Sequence, residues 1–358
     1  MKKNFLTIAL IIAICLTGCN SLNDKDVRKK FIKNSESLKS YELEGILTIT
    51  NNDDTYKYDV NVNYEKDDKY KVSLMNKANN YEQIILKNDE GVFVITPSLN
   101  KSFKFQSDWP NNNSQSYLLD SVAKDLKNDE NYKFTQKDKD YVFTTKTNYP
   151  NNPKYKTQNI TLDKNYDLKK VEVQDDDGIT YVKFEVTNLD KKAKFNDDNF
   201  DLEKITKGMN KIDEKSETDE TPEESKEENE NKEETEQNEE TTSKIDENVF
   251  PLYLPSNTSL SDKEVISTES GERVIMTFSG DKPFILVQED VHVSKELEII
   301  PTYGEPYMLI DTVGSLTDTS YTWTSNGIEY YIVSDQMEKT EMLEVAKSIN
   351  IVSTIGEK

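Results

Sequence analysis

Histidine occurs once in the 358 residues, and cysteine and tryptophan only twice each. The single histidine, His292, has no second to work with, so any Ser-His-Asp or Cys-His arrangement would have to run through it. The HVSKE that begins there is not the helix motif of a zinc protease. His292 reads as an ordinary strand or loop residue. Cys15 falls inside an apolar leader, which leaves Cys19 alone once the leader is removed. A disulfide within the chain and a cysteine-based zinc site are thereby excluded. The 11 glycines nowhere form a phosphate-cradling loop or a dinucleotide fingerprint, and no cofactor is implied. Positive charge is outweighed, 45 Lys and Arg against 68 Asp and Glu for a net charge of -23, which makes nucleic acid a poor partner. With carboxylates this abundant, any two could be nominated as a catalytic pair, so the sequence carries no such signal. The reading is non-enzymatic.

What the chain does have begins at its start. Lys2 and Lys3 precede Phe5–Leu16, an apolar run of about a dozen residues, shorter than the ~20 of a spanning helix. It ends at Leu16-Thr17-Gly18-Cys19, which resembles the lipobox of bacterial lipoproteins. The resemblance implies a signal peptide over residues 1–18, diacylation of the Cys19 thiol by palmitate-like chains, and tethering to the outer face of the cytoplasmic or forespore membrane. Each buried methylene contributes ~0.8 kcal/mol, so one chain holds marginally and two hold stably. No later apolar stretch reaches spanning length.

The remainder divides in three. From Asp213 to Lys244 there is no aromatic or aliphatic side chain, and acid far outnumbers lysine. Nothing there offsets the entropy of ordering, so residues 206–246 are expected to be a disordered, self-repelling spacer of roughly 30 Å or more. A calcium-attracting acidic run is the sharper alternative. Before it, residues 19–205 read as a helix and then strands. Val27, Phe31 and Leu38 recur at near-helical spacing. Tyr41, Leu43, Gly45, Leu47 and Ile49 then share one face, and Tyr56, Tyr58, Val60, Val62 and Tyr64 alternate with polar residues beyond a turn at 51–54, predicting a hairpin. Further strands are expected over Lys69–Met75, Tyr81–Lys87, Gly91–Thr96, Lys101–Phe105, Asn131–Thr135, Asp140–Thr147, Tyr155–Asp163, Asp167–Gln174 and Ile179–Asn188. Leu118, Val122 and Leu126 argue a helix over Ser116–Leu126. A meander of about eleven strands curls rather than staying flat, giving an α+β fold built on an incomplete antiparallel barrel with a helical lid. Residues 247–358 read as a small α+β domain. Its strands are expected at Arg273–Phe278, Phe284–Glu289, Glu296–Ile300, Tyr321–Thr324 and Ile328–Val333, with a tight turn at Asn326-Gly327 and a closing helix over Gln336–Ile349.

The stretches Glu82–Lys87 (EQIILK), Gly91–Phe105 (GVFVITPSLNKSFKF) and Trp109-Pro110 look like the germination lipoprotein GerS and its relatives. Those proteins have a fold similar to LolA, the lipoprotein carrier of double-membraned bacteria. The likeness runs from Cys19 to about Leu202. It implies the incomplete barrel reached from the strand count, and for GerS itself a non-enzymatic role in support of a cell-wall amidase acting on the spore cortex. The second domain resembles an uncharacterised module at the C-terminus of Gram-positive lipoproteins and anti-sigma-factor-like membrane proteins, through Leu252–Pro255, Tyr321–Val333 and Val345–Ile349. The expected function is therefore a lipid-anchored accessory protein of a wall-modifying enzyme, or of another envelope protein, in sporulation or germination. The alternative is a carrier or chaperone that shelters a lipid or lipoprotein in a hydrophobic half-barrel. Phe103, Phe105, Trp109 and Tyr117 are the candidate binding residues. They could instead be core beneath the helical lid.

Overall fold

The computed structural model describes residues 23–51, 54–207, 245, 250–268 and 271–355. The spacer expected over 206–246 lies outside these apart from Thr206, Lys207 and Ile245, as does the leader with Cys19.

Helix α1 (Asp24–Glu36) opens on Asn23, whose side chain accepts from the Lys25 amide at 3.2 Å, and places Asp24 and Asp26 in its first turn, where carboxylates suit the helix dipole. It buries Val27 and Phe31. Eleven strands follow: β1 (Ser40–Asn51), β2 (Asp54–Glu65), β3 (Lys69–Asn76), β4 (Glu82–Asn88), β5 (Gly91–Thr96), β6 (Lys101–Phe105), β7 (Lys133–Lys137), β8 (Asp140–Lys146), β9 (Thr157–Leu162), β10 (Leu168–Gln174) and β11 (Thr180–Asp190). Between β6 and β7 lies α2 (Leu119–Asn128), shifted a few residues from the expected span. Two antiparallel meanders, β1 to β6 and β7 to β11, join where β1 pairs with β11. In β1 the face of Tyr41, Leu43, Gly45, Leu47 and Ile49 is buried, as its alternation predicts. Gly45 is needed at this junction: a Cβ there would lie 2.5 Å from the Phe184 ring on β11. The open sheet curves around α1 and α2. Arg28 of α1 donates to the carbonyls of Leu126 (3.0 Å) and Lys127 (2.7 Å), which holds the two helices together at the end of α2.

Strands β4 and β5 are buried on both faces, which accounts for their unbroken apolar runs. Ile85, Val92 and Val94 face the concave core with the helices. Ile84, Leu86, Phe93 and Ile95 face a second core on the convex side, closed by Phe200 and Leu202 from the segment after β11.

The C-terminal part carries β12 (Thr258–Thr268), β13 (Gly271–Gly280), β14 (Phe284–Asp290), β15 (Glu298–Thr302), β16 (Glu305–Met308), β17 (Val313–Leu316), β18 (Ser320–Ser325), β19 (Ile328–Val333) and helix α3 (Lys339–Ile355). Seven of these strands form a sheet in the order β12-β13-β14-β19-β18-β17-β16. Met342, Leu343, Val345, Ala346 and Ile349 of α3 belong to its core. The β18–β19 turn is Asn326-Gly327, both with positive φ (51° and 78°), as a two-residue hairpin of this type requires. Overall the architecture is α+β, mostly strand, in two open sheets.

Strand β15 does not join its neighbours. It pairs in parallel with β6, Glu298 opposite Lys101 through Thr302 opposite Phe105, and becomes the twelfth strand of the first sheet. The two lobes are thus bonded along a sheet edge.

Candidate binding site between the lobes

The four aromatic residues singled out in the sequence do not form one surface. Phe105, Trp109 and Tyr117 belong to the concave core, with Trp109 only 1 % exposed. The Trp109 ring meets Tyr70 edge-on at 5.7 Å, in line with Tyr64 and Tyr41 beyond it. Phe103 is half-buried against the same core. As β6 requires, Phe103 and Phe105 share a face. Only these two line the cleft described below; Trp109 and Tyr117 line a separate 80 Å³ space beside Leu47 and Ile85.

The concave face is occupied. Val27 and Phe31 of α1, Leu118 ahead of α2 and Leu119, Val122 and Leu126 within it pack against the sheet, and Val313 with Met308 enters the same core from the second lobe. The 80 Å³ left near Trp109 is far below the ~300 Å³ at which ligand pockets begin. A half-buried carboxylate sits here too. Asp120, near the start of α2, accepts from the hydroxyls of Tyr70 (2.7 Å) and Tyr41 (3.4 Å). Burial raises its pKa above the ordinary carboxylate value, and the two tyrosine hydrogen bonds oppose that rise. The same burial drives both tyrosines well upward. A polar hollow of 470 Å³ beside α2, lined by Asp125, Lys124 and several asparagines, lies outside this core.

Polar contacts hold the second lobe over the mouth of the first. Gln83 of β4 acts as a surrogate strand partner: its Oε1 accepts from the Val313 amide (2.6 Å) and its Nε2 donates to the Val313 carbonyl (3.1 Å). The Tyr58 hydroxyl donates to the Ile310 carbonyl at 2.6 Å. Lys101 reaches Glu329 at 3.5 Å, and Asn112 donates to Glu305. Beside them Asp311 is half-buried; burial raises its pKa, and a hydrogen bond from Ser325 works against the rise.

Where β5, β6 and β15 face β17 and β18, a cleft of 290 Å³ remains. Its first wall is Val94, Phe103 and Phe105, and its second presents Ser315, Thr322 and Thr324; Tyr303, 79 % exposed, is also among the lining residues. The sequence singled out Phe103 and Phe105 of the first wall but not the opposite wall, because the two walls come from strands about two hundred residues apart and meet only through the β6–β15 pairing. His292 is exposed in the loop before β15. Among the described residues no three of His, Cys, Asp and Glu are grouped to hold a metal ion, and no helix is long and apolar enough to cross a membrane.

No family model matches the chain. Among solved structures it is similar to a LolA superfamily protein from Nitrosomonas europaea (13 % identity, 50 % of this chain and 98 % of that one, TM-score 0.29). It is also similar to the structure of the CwlD amidase from Clostridioides difficile in complex with the GerS lipoprotein (17 % identity, 49 % and 98 %, TM-score 0.19). The overlap in shape is slight in both. Sequence kinship is firmer: the sporulation protein YdcC of Bacillus subtilis (strain 168) is 35 % identical over 356 residues. That alignment takes in 98 % of this chain and 97 % of the relative, both lobes and the acidic segment between them, and on it the chain belongs to the family of the sporulation protein YdcC.

Proposed function

We propose that the protein is a non-catalytic envelope lipoprotein of sporulating cells, tethered through Cys19 to the outer face of the cytoplasmic or forespore membrane, where it holds a cell-wall-modifying enzyme or another envelope protein. The observation that carries this reading is the occupied concave face. A carrier needs an empty half-barrel, whereas here the helices and the second lobe fill it, leaving the outer surfaces of a two-lobed body for partners. Kinship with a sporulation protein supports the setting. The lipobox supports the tether, and the likeness to GerS in β4 to β6 supports a wall amidase as the partner. The lone histidine lies exposed in a loop, which speaks for activity residing in the partner.

The test is capture of the tagged full-length protein from sporulating cells after brief cross-linking, beside a deletion strain. Stoichiometric recovery of one envelope protein, with a sporulation or germination defect in the deletion, is the expected result. Normal spores from the deletion strain, or cleavage of peptidoglycan by the purified protein alone, would overturn the reading.

A further inference from the structure

The cleft between the lobes has two chemically unlike walls. Val94, Phe103 and Phe105 of the first lobe make one of them apolar and aromatic. Strands β17 and β18 make the other rich in hydroxyls, among them Ser315, Thr322 and Thr324. Neither lysine nor arginine lines the space, and Glu329 carries the only formal charge among its lining residues. Lys101 stands 3.5 Å from that carboxylate, so the site already has its counter-ion. A volume of 290 Å³, at about 30 Å³ for each water-sized group, holds on the order of ten heavy atoms.

We propose that this cleft is a binding site for a small uncharged amphiphile, with the apolar chain or ring against Phe103 and Phe105 and a hydroxyl, ester or amide end among the hydroxyls of β17 and β18. Apolar contact with a few placed polar groups is the usual chemistry of such sites. Charge sets the selectivity. An anionic head would meet the Glu329 carboxylate in a partly dry space with no lysine or arginine on the lining, where like charges repel far more than in water. A cationic head gains little, because Lys101 already answers that carboxylate. The cleft borders the filled concave core, whose Val94 and Phe105 also form its apolar wall, and it stands or falls independently of the partner proposed above.

Three eight-carbon probes that differ only in the head test this: octan-1-ol, octanoate and octylammonium, titrated calorimetrically into the intact protein at pH 7.5. Octanol is expected to bind saturably at one site, and octanoate at least tenfold more weakly. Thr322→Leu puts an apolar side chain into the cleft from a half-buried position and should weaken octanol tenfold or more with the urea midpoint unchanged. Glu329→Gln removes the lining charge and releases Lys101, so octanoate should gain about tenfold; this variant keeps the test open if the first proves unstable. Absence of saturable octanol binding, equal affinity for octanol and octanoate, or wild-type behaviour in both variants would overturn the proposal.

Discussion

Replacing Gln83 by leucine isolates the contact that seats the second lobe. Leucine is close in size, so the change removes hydrogen-bonding capacity with little loss of volume. Gln83, Thr312 and Val313 are all buried, at 5 %, 1 % and 5 % exposure. Without the carboxamide, the Val313 amide and carbonyl lose the partners they hold at 2.6 and 3.1 Å, and the Thr312 hydroxyl loses an acceptor at 3.2 Å. An orphaned buried backbone group costs about 1–3 kcal/mol, so the two Val313 groups together cost about 2–6 kcal/mol. That is a large share of the ~5–15 kcal/mol that holds a typical protein folded. Urea unfolding of the intact chain, followed by tryptophan fluorescence, reads both lobes because Trp109 lies in the first core and Trp323 in the second. In the wild type the two should unfold in one transition. In Gln83→Leu the loss should appear as an earlier transition of the second lobe or a lowered common midpoint. A change below about 0.5 kcal/mol, the range of ordinary surface substitutions, would refute the idea that this amide clamps the lobes.

Cys19→Ala should abolish incorporation of labelled palmitate, and equal labelling of mutant and wild type would remove the lipobox assignment. Gly45→Ala should destabilise the first lobe by about 1–3 kcal/mol as an overpacked core position, since its Cβ would sit 2.5 Å from the Phe184 ring and 2.6 Å from the Glu185 carbonyl; an unchanged melting temperature would show that the β1–β11 junction yields easily. Asp311 has a folded-state pKa raised from 3.8 by burial, so the native state binds the extra proton and stability falls as pH rises from about 3.8 to the raised value. Asp311→Asn should lose that part of the slope above pH 3.8, and a variant with the wild-type slope would sink the assignment. Finally, a protease site inserted at residue 225 should, once cut, give two pieces that co-elute on gel filtration until denaturant is added; separation in native buffer would mean that the β6–β15 pairing is too weak to join the lobes.

The first lobe was largely legible in the sequence because its strands alternate, and alternation is a local property. β1 and β2 read cleanly from Tyr41 to Tyr64, and β5, β6 and β19 matched their expected ranges. β12 was missed because Thr258–Thr268 is mostly exposed and polar, a sheet edge with no buried face to betray it. β16 and β17, four residues each, are too short to show a period. Glu296–Ile300 was expected as a strand of the second domain. Its neighbour is instead β6, and parallel pairing across so much chain leaves no mark in either segment. For the same reason Phe105, Trp109 and Tyr117 could be read as core or as surface from the sequence, and burial places all three inside.

The added strand also sets an order of events. β6 is the last strand of its meander and would be left with a bare edge of amides and carbonyls, the kind that invites strands from other chains. Its cover arrives from Glu298–Thr302, roughly two hundred residues later in the chain. The Glu298 amide donates to the Asn100 carbonyl at 2.8 Å; by the alternation of a strand, the Pro301 nitrogen then falls on the side away from β6, where a residue without an amide proton leaves less for a further strand to grip. During folding the first lobe must therefore wait for the second, and a chain ended near residue 207 would be left with its edge unguarded. Such a fragment should self-associate, and its behaviour in isolation would be a poor guide to what the whole protein does.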